Sequence, residues 1–210
     1  MKKNTAFYIL LCLLGIVSLP ACQDEFLDPK PDSSLVVPTT LEDLQALLDH
    51  GAVMNQGTAH HLAEIGSDNY YITSDAWKLV SQPEQRNGYI WARDVYEQRS
   101  VNDWDFSYRR ILYANTVLEG LAKIHPGPAR QTQWEQVKGA ALFYRAWNFY
   151  QLAQLFCKPY DPATAATDPG IPLRLEADIS AKATRQTVAQ TYQRMQQDRL
   201  NQLAQLGESY

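Results

Sequence analysis

The sequence predicts an all-α protein, built as an array of helical hairpins with long irregular connections. Three observations carry this. From Asp103 onward, apolar residues recur at spacings of three and four up to "HPGP" (His125 to Pro128). A second such stretch, about Gln131 to Phe156, alternates small and large residues on one face. A third opens at Thr187 and reaches Gly207.

Along the chain, Thr40 is placed to cap "LEDLQALLDHG". Leu41, Leu44, Leu47 and Leu48 share a face, Glu42 and Asp43 suit the positive N-terminal end, and Gly51 suits the stop. Residues 52–103 read as loops with short helices, punctuated by Gly, Asn, Ser and Pro. Asp103 is the expected N-cap of the next helix, whose face carries Trp104, Tyr108, Ile111, Asn115, Leu118 and Ala122. The helix over 131–156 presents Gly139, Leu142, Ala146, Phe149, Ala153 and Phe156. Tyr144, Trp147, Tyr150 and Leu152 make further sides apolar, which predicts burial between neighbours. Trp104, Trp134 and Trp147 are expected in the core. Residues 157–185 read as an irregular connection. Thr187 and Gln190 then form a capping box ahead of a stripe of Val188, Tyr192, Met195, Leu203 and Leu206. Helix pairs that stack small residues on large follow the logic of tetratricopeptide arrays, although the strict motif and a 34-residue period are not matched.

The N-terminus reads as an address. Lys2 and Lys3 precede an almost wholly apolar run, Ala6 to Leu19, and small Ala21 stands before Cys22. The run is shorter than the about 18 apolar residues of a membrane span. Residues 1–21 therefore form a signal peptide. Leu19-Pro20-Ala21-Cys22 resembles the lipobox of bacterial lipoproteins, which implies that Cys22 carries the lipid anchor, including palmitate-type acyl chains. Residues 22–39, "CQDEFLDPKPDSSLVVPT", form the tether. The acids after Cys22 resemble the surface-export signal of Bacteroidetes lipoproteins. The other reading of Cys22 is an ordinary cysteine at a plain cleavage site.

Composition narrows the remainder. Of 210 residues, 45% are hydrophobic and 20% charged, as in an ordinary globular protein. The net charge of −4 becomes −6 once Lys2 and Lys3 leave with the signal, so nucleic acid is not an expected partner. With Cys12 removed and Cys22 lipidated, Cys157 has no disulfide partner. It is expected to be a packed or half-exposed thiol.

No enzyme signature emerges. His60, His61 and Glu64 show one turn of possible metal spacing, but no HExxH pattern and no third ligand. There is no phosphate loop and no nucleophile elbow. No cofactor and no metal are expected. Asn115 and Arg145, polar among apolar neighbours, are each expected to be satisfied by a structural hydrogen bond or ion pair. The aromatics of residues 67–95 carry the functional signal. Tyr and Trp offer an apolar face with a polar edge, which suits saccharides. Tyr71, Trp77, Tyr89 and Trp91 are the candidates, with Tyr70 beside them and Asp68, Asn69 and Arg93 as polar partners. The same aromatics would also serve simply as cover for the helices.

Four stretches resemble SusD/RagB-like nutrient-binding lipoproteins. They are "CQDEFLDPKP" (Cys22 to Pro31), "WDFSYRRILYANTVLEGL" (Trp104 to Leu121), "VKGAALFYRAWNFYQLAQLF" (Val137 to Phe156) and "RQTVAQTYQRMQQD" (Arg185 to Asp198). Ala140, Cys157 and Arg199 depart from the usual Glu, Gly and Leu of the family. The resemblance implies an outer-membrane surface lipoprotein, not an enzyme, that passes glycans or other nutrients to a SusC-type TonB-dependent transporter. Family members are typically more than twice as long, so it also implies that residues 40–210 are an incomplete N-terminal helical domain, a fragment or truncated product. The rival reading is a tetratricopeptide-like scaffold lipoprotein that binds only protein partners. An aromatic cluster of residues 67–95 exposed beside helix ends favours the glycan reading, and one wholly buried favours the scaffold.

Overall fold

The computed structural model describes residues 38–56 and 61–205. The signal peptide, Cys22, most of the tether, His60, Leu206 and Gly207 lie outside the described residues. From Pro38 onward the chain is one compact unit.

Helix α1 spans Leu41–Leu48. Thr40 Oγ1 accepts from Asp43 N at 3.1 Å, and the Asp43 carboxylate accepts from Thr40 N, also at 3.1 Å. This capping box satisfies two amides that the first turn leaves open. Leu41, Leu44 and Leu48 are buried. Gly51 does not end this helix but opens the next, α2, Gly51–Met54. Three short helices follow: α3 His61–Ile65, α4 Ser74–Leu79 and α5 Pro83–Tyr89.

The scaffold is three long helices, α6 Asn102–Leu121, α7 Gln131–Phe156 and α8 Val188–Gln205. Helix α7 packs against both α6 and α8, and α1 lies on α6 and α7. Helix α6 begins one residue before the expected cap. Its N-cap is Val101, with no side-chain bond, and Asp103 turns its carboxylate instead to the first amides of α3. Thr187 and Gln190 bond reciprocally at 3.1 and 3.0 Å, closing the expected box of α8.

Two apolar clusters fill the interior. One joins Leu44 and Leu48 to Val117, Leu121, Val137 and Ala141. The other joins Ile111 to Phe149, Leu152, Ala153, Ile171 and Met195. Between these levels of α6 and α7 sits a polar node. Arg145 grips Asp198 of α8 through Nε at 2.8 Å and Nη2 at 2.7 Å, and Arg145 Nη1 donates to Asn115 Oδ1 at 3.0 Å. Asn115 Nδ2 donates to the carbonyls of Arg174 and Glu176. The structural hydrogen bond and ion pair expected of these two polar residues are present, and they meet in one node with Asp198.

The 157–185 connection is not wholly irregular. Strand β1, Pro169–Pro172, pairs antiparallel with β2, Arg185–Thr187, with Pro169 opposite Thr187 and Pro172 opposite Arg185. Gly170 is obligatory there. A Cβ on it would stand 2.4 Å from Thr191 Oγ1 and 2.5 Å from the Thr187 carbonyl oxygen. Gly170→Ala is expected to lower stability by about 1–3 kcal/mol, the usual range for overpacking. Urea unfolding should show a lower midpoint with unchanged slope. An unchanged midpoint would mean that the ribbon yields without cost.

Helix α7 is buried on several sides, as expected, but one apolar arc is open. Phe143, Trp147 and Tyr150 are 44%, 47% and 40% exposed. Their rings form a ladder, Phe143 to Trp147 at 6.3 Å and Trp147 to Tyr150 at 5.7 Å, both close to parallel. Trp147 is thus not core, whereas Trp134 and Trp104 pack against the two clusters. Leu203 of the α8 stripe is also exposed. Periodicity shows that a side is apolar but not that a neighbour reaches it.

Candidate functional site

Close packing at Gly88 and a backbone-bonded helix end shape the segment between α3 and α6. Helices α3 and α5 pack together where Gly88 has no side chain. A Cβ there would lie 3.0 Å from Leu62 Cδ2 and 3.3 Å from Ile65 Cγ2. Helix α5 ends in a Schellman motif. Trp91 N donates to the Gly88 carbonyl at 3.1 Å and Ala92 N to the Asn87 carbonyl at 2.9 Å. That motif places one residue in the left-handed region, normally glycine. Here it is Trp91, with φ of 54°.

Trp91 is 79% exposed. Its Cε2 and Cζ2 atoms lie 3.5 Å from where a Gly66 Cβ would stand, so Gly66 lets the ring approach the backbone. Beside it opens a cleft of ≈ 800 Å³, walled by Leu62, Gly66, Asp68, Trp91, Val95 and Gln154. Gln154 belongs to the last turn of α7, and its Nε2 donates to Tyr192 Oη at 3.0 Å. The cleft thus combines an exposed aromatic ring, a carboxylate and a carboxamide. Such a set stacks on the C–H face of a sugar and bonds to its hydroxyl rim.

The expected residues divide. Asp68 and Trp91 line the cleft. Asn69 and Tyr71 are exposed on the neighbouring turn, Tyr71 at 82%, and do not line it. Trp77 and Tyr89 are half-buried and bonded internally. Trp77 Nε1 donates to the Arg86 carbonyl at 2.9 Å, and Tyr89 Oη accepts from Ile72 N at 3.0 Å. Tyr70 Oη donates to the Ile65 carbonyl, and its ring packs on Tyr89 at 5.8 Å. These three aromatics knit residues 66–82, α4 included, to α3 and α5. Leu62, Gly66 and Gln154 were not expected. The one sequence signal that points to the cleft is a tryptophan two positions beyond a helix end, where glycine is the common choice.

A second groove of ≈ 580 Å³ runs between α6 and residues 172–183. Its aromatics are already engaged. Trp104 meets Tyr108 at 4.9 Å, Phe156 at 5.1 Å and the Arg185 guanidinium at 5.6 Å, and Tyr108 Oη donates to the Pro172 carbonyl. Burial raises the Cys157 thiol above its ordinary value, with Arg185 acting in the opposite direction. Among the described residues, no group of three His, Cys, Asp or Glu side chains is placed to hold a metal ion. Among them too, no helix is long and apolar enough to cross a membrane.

A SusD-like family model, described as "Starch-binding associating with outer membrane", matches residues 25–210. No curated protein is significantly similar to the chain. A putative sugar binding protein from Bacteroides vulgatus is 21% identical with a TM-score of 0.68, covering 83% of this chain and 39% of its own. A SusD superfamily protein from Bacteroides thetaiotaomicron is 23% identical with a TM-score of 0.61, over 79% of this chain and 37% of its own. One from Bacteroides fragilis is 23% identical with a TM-score of 0.59, over 77% and 38%. The chain therefore has their fold and spans under two fifths of their length.

Proposed function

Because the chain belongs to the SusD-like family, we propose that it is a lipid-anchored outer-membrane protein that binds glycans at the Trp91 cleft and delivers them to a SusC-type TonB-dependent transporter. It is a binder rather than an enzyme. Residues 1–21 are its signal peptide, Cys22 its anchor, residues 22–39 its tether and residues 40–210 its helical domain. Two or more acyl chains on Cys22 give stable membrane attachment. Labelled palmitate should enter the wild-type chain and not Cys22→Ala.

The observation that carries the reading is Trp91. A tryptophan is 79% exposed and held in a backbone conformation that disfavours a side chain. Strain of this kind collects at binding sites. The test is a glycan array, including malto-oligosaccharides, on lipid-free residues 23–210. Trp91→Ala should weaken binding about tenfold or more, since a tenfold change is about 1.4 kcal/mol and a stacked aromatic contributes on that order. Trp77→Ala serves as the contrast, and its effect should fall on stability through the lost bond to the Arg86 carbonyl. A folded parent that binds no glycan, or a Trp91→Ala variant that binds as well, sinks the proposal.

A second reading, a tetratricopeptide-like scaffold that binds protein partners only, is favoured by the exposed ladder of Phe143, Trp147 and Tyr150. It predicts that glycan binding is absent and that Trp147→Gln abolishes capture of a partner.

A further inference from the structure

We propose that Asp103 is a positioning residue for the Trp91 cleft: its buried carboxylate holds the first amides of α3 and so fixes the wall made by Leu62 and Gly66. The inference rests on the reading of that cleft as the binding site.

Helix α3 is short and only lightly buried, and its packing is on α5. It has five residues, and none is buried. A helix this short does not persist alone in water. It touches the long-helix scaffold through a carboxylate. Asp103 Oδ1 accepts from His61 N at 2.8 Å, and Asp103 Oδ2 lies 3.4 Å from Leu62 N. An anion at that end also meets the positive pole of the helix. Asp103 is only 2% exposed, in the first turn of the 20-residue α6. Ser107 Oγ donates to its carbonyl at 2.7 Å. The neighbouring Tyr96 hydroxyl has its ionisation pushed up, chiefly by burial and then by the Asp103 charge. The carboxylate is thus shielded, and its bonds do not compete with bulk water.

From Asp103 the path to the ligand face is short. Leu62 is both held residue and cleft wall, its carbonyl accepts from Gly66 N at 2.9 Å, and Gly66 backs the Trp91 ring. The spacing explains why Asp103 leaves its own helix uncapped. Its carboxylate is committed to amides 41 and 42 residues earlier in the chain.

The experiment is amide hydrogen exchange on the full chain in detergent, comparing wild type with Asp103→Ala and Asp103→Asn. The Trp91 indole N–H signal is followed in parallel by NMR. Asp103→Ala should speed exchange about tenfold or more over residues 61–66 while protection of α6, α7 and α8 stays unchanged. Asp103→Asn, which keeps one accepting oxygen, should lie between. The Trp91 indole signal should shift or broaden, with those of Trp134 and Trp147 unmoved. Unchanged exchange over 61–66 overturns the proposal. So does faster exchange spread evenly over the chain, which would mark a general stability effect, and so does an unmoved Trp91 signal. None of these readouts uses a glycan. A chain that binds no saccharide would remove the glycan reading while this comparison still decides the role of Asp103.

Discussion

Asp198→Ala is expected to lower stability by about 3–5 kcal/mol, the range for breaking a buried ion pair from one side. Asp198 is fully buried, and both of its oxygens are engaged by Arg145. Arg194, one turn earlier on α8, also bonds to it. Removing the carboxylate leaves two guanidinium groups facing the space it filled. Arg145, 5% exposed, is too deep to regain water. The damage extends further, because Arg145 also orients Asn115, and Asn115 holds the carbonyls of Arg174 and Glu176. Chemical denaturation measures the loss. Asp198→Asn should cost less, since one acceptor and the shape remain. Joint replacement of Arg145 and Asp198 by Met and Leu should cost less than Asp198→Ala, because the desolvation cost of that pair leaves with its charges, and the remaining loss comes from Arg194 and Asn115 Oδ1, which lose their partners. A loss below about 1 kcal/mol for Asp198→Ala would show that the node behaves like a surface pair.

Trp91→Gly is expected to separate stability from function. A non-glycine residue in the left-handed region costs on the order of 1 kcal/mol or more, and glycine occupies it freely. Little burial is lost, since Trp91 is 79% exposed. Thermal unfolding should therefore occur at the same or a higher temperature, while saccharide binding falls at least about tenfold. Trp91→Ala removes the ring but keeps a Cβ at positive φ, so it should lose binding without the gain in stability. A destabilised Trp91→Gly variant would mean that the ring is a packing element.

Much of the scaffold was legible because its determinants are local. Thr40 and Asp43, Thr187 and Gln190, and the span of α7 follow from caps and a 3.6-residue period. The misses share a different cause. Asp103 has the residue type and place of an N-cap, but its partner amides lie some 40 positions away and outcompete its own helix. Trp147 sits on an apolar arc whose neighbour no periodicity can name. Strand β1, "PGIP", pairs with β2 through a close approach at Gly170 that no alternation signals. The site was legible as a region but not as a set. Trp77, Tyr89 and Trp91 look equivalent in sequence, yet two turn inward to backbone partners. Trp91 alone of these three is set outward by the end of α5. Gln154 enters only because α7 delivers it from elsewhere in the chain.

The central claim is that the exposed Trp91 ring is a saccharide platform. The most direct test is a titration of residues 23–210 with the strongest ligand from the array, following the five indole N–H signals by NMR. The account predicts a saturable shift of the Trp91 signal, with Trp104, Trp134 and Trp147 unmoved and Trp77 moved little. A saturable shift of Trp147 with Trp91 still would place the ligand on the α7 ladder and contradict the account.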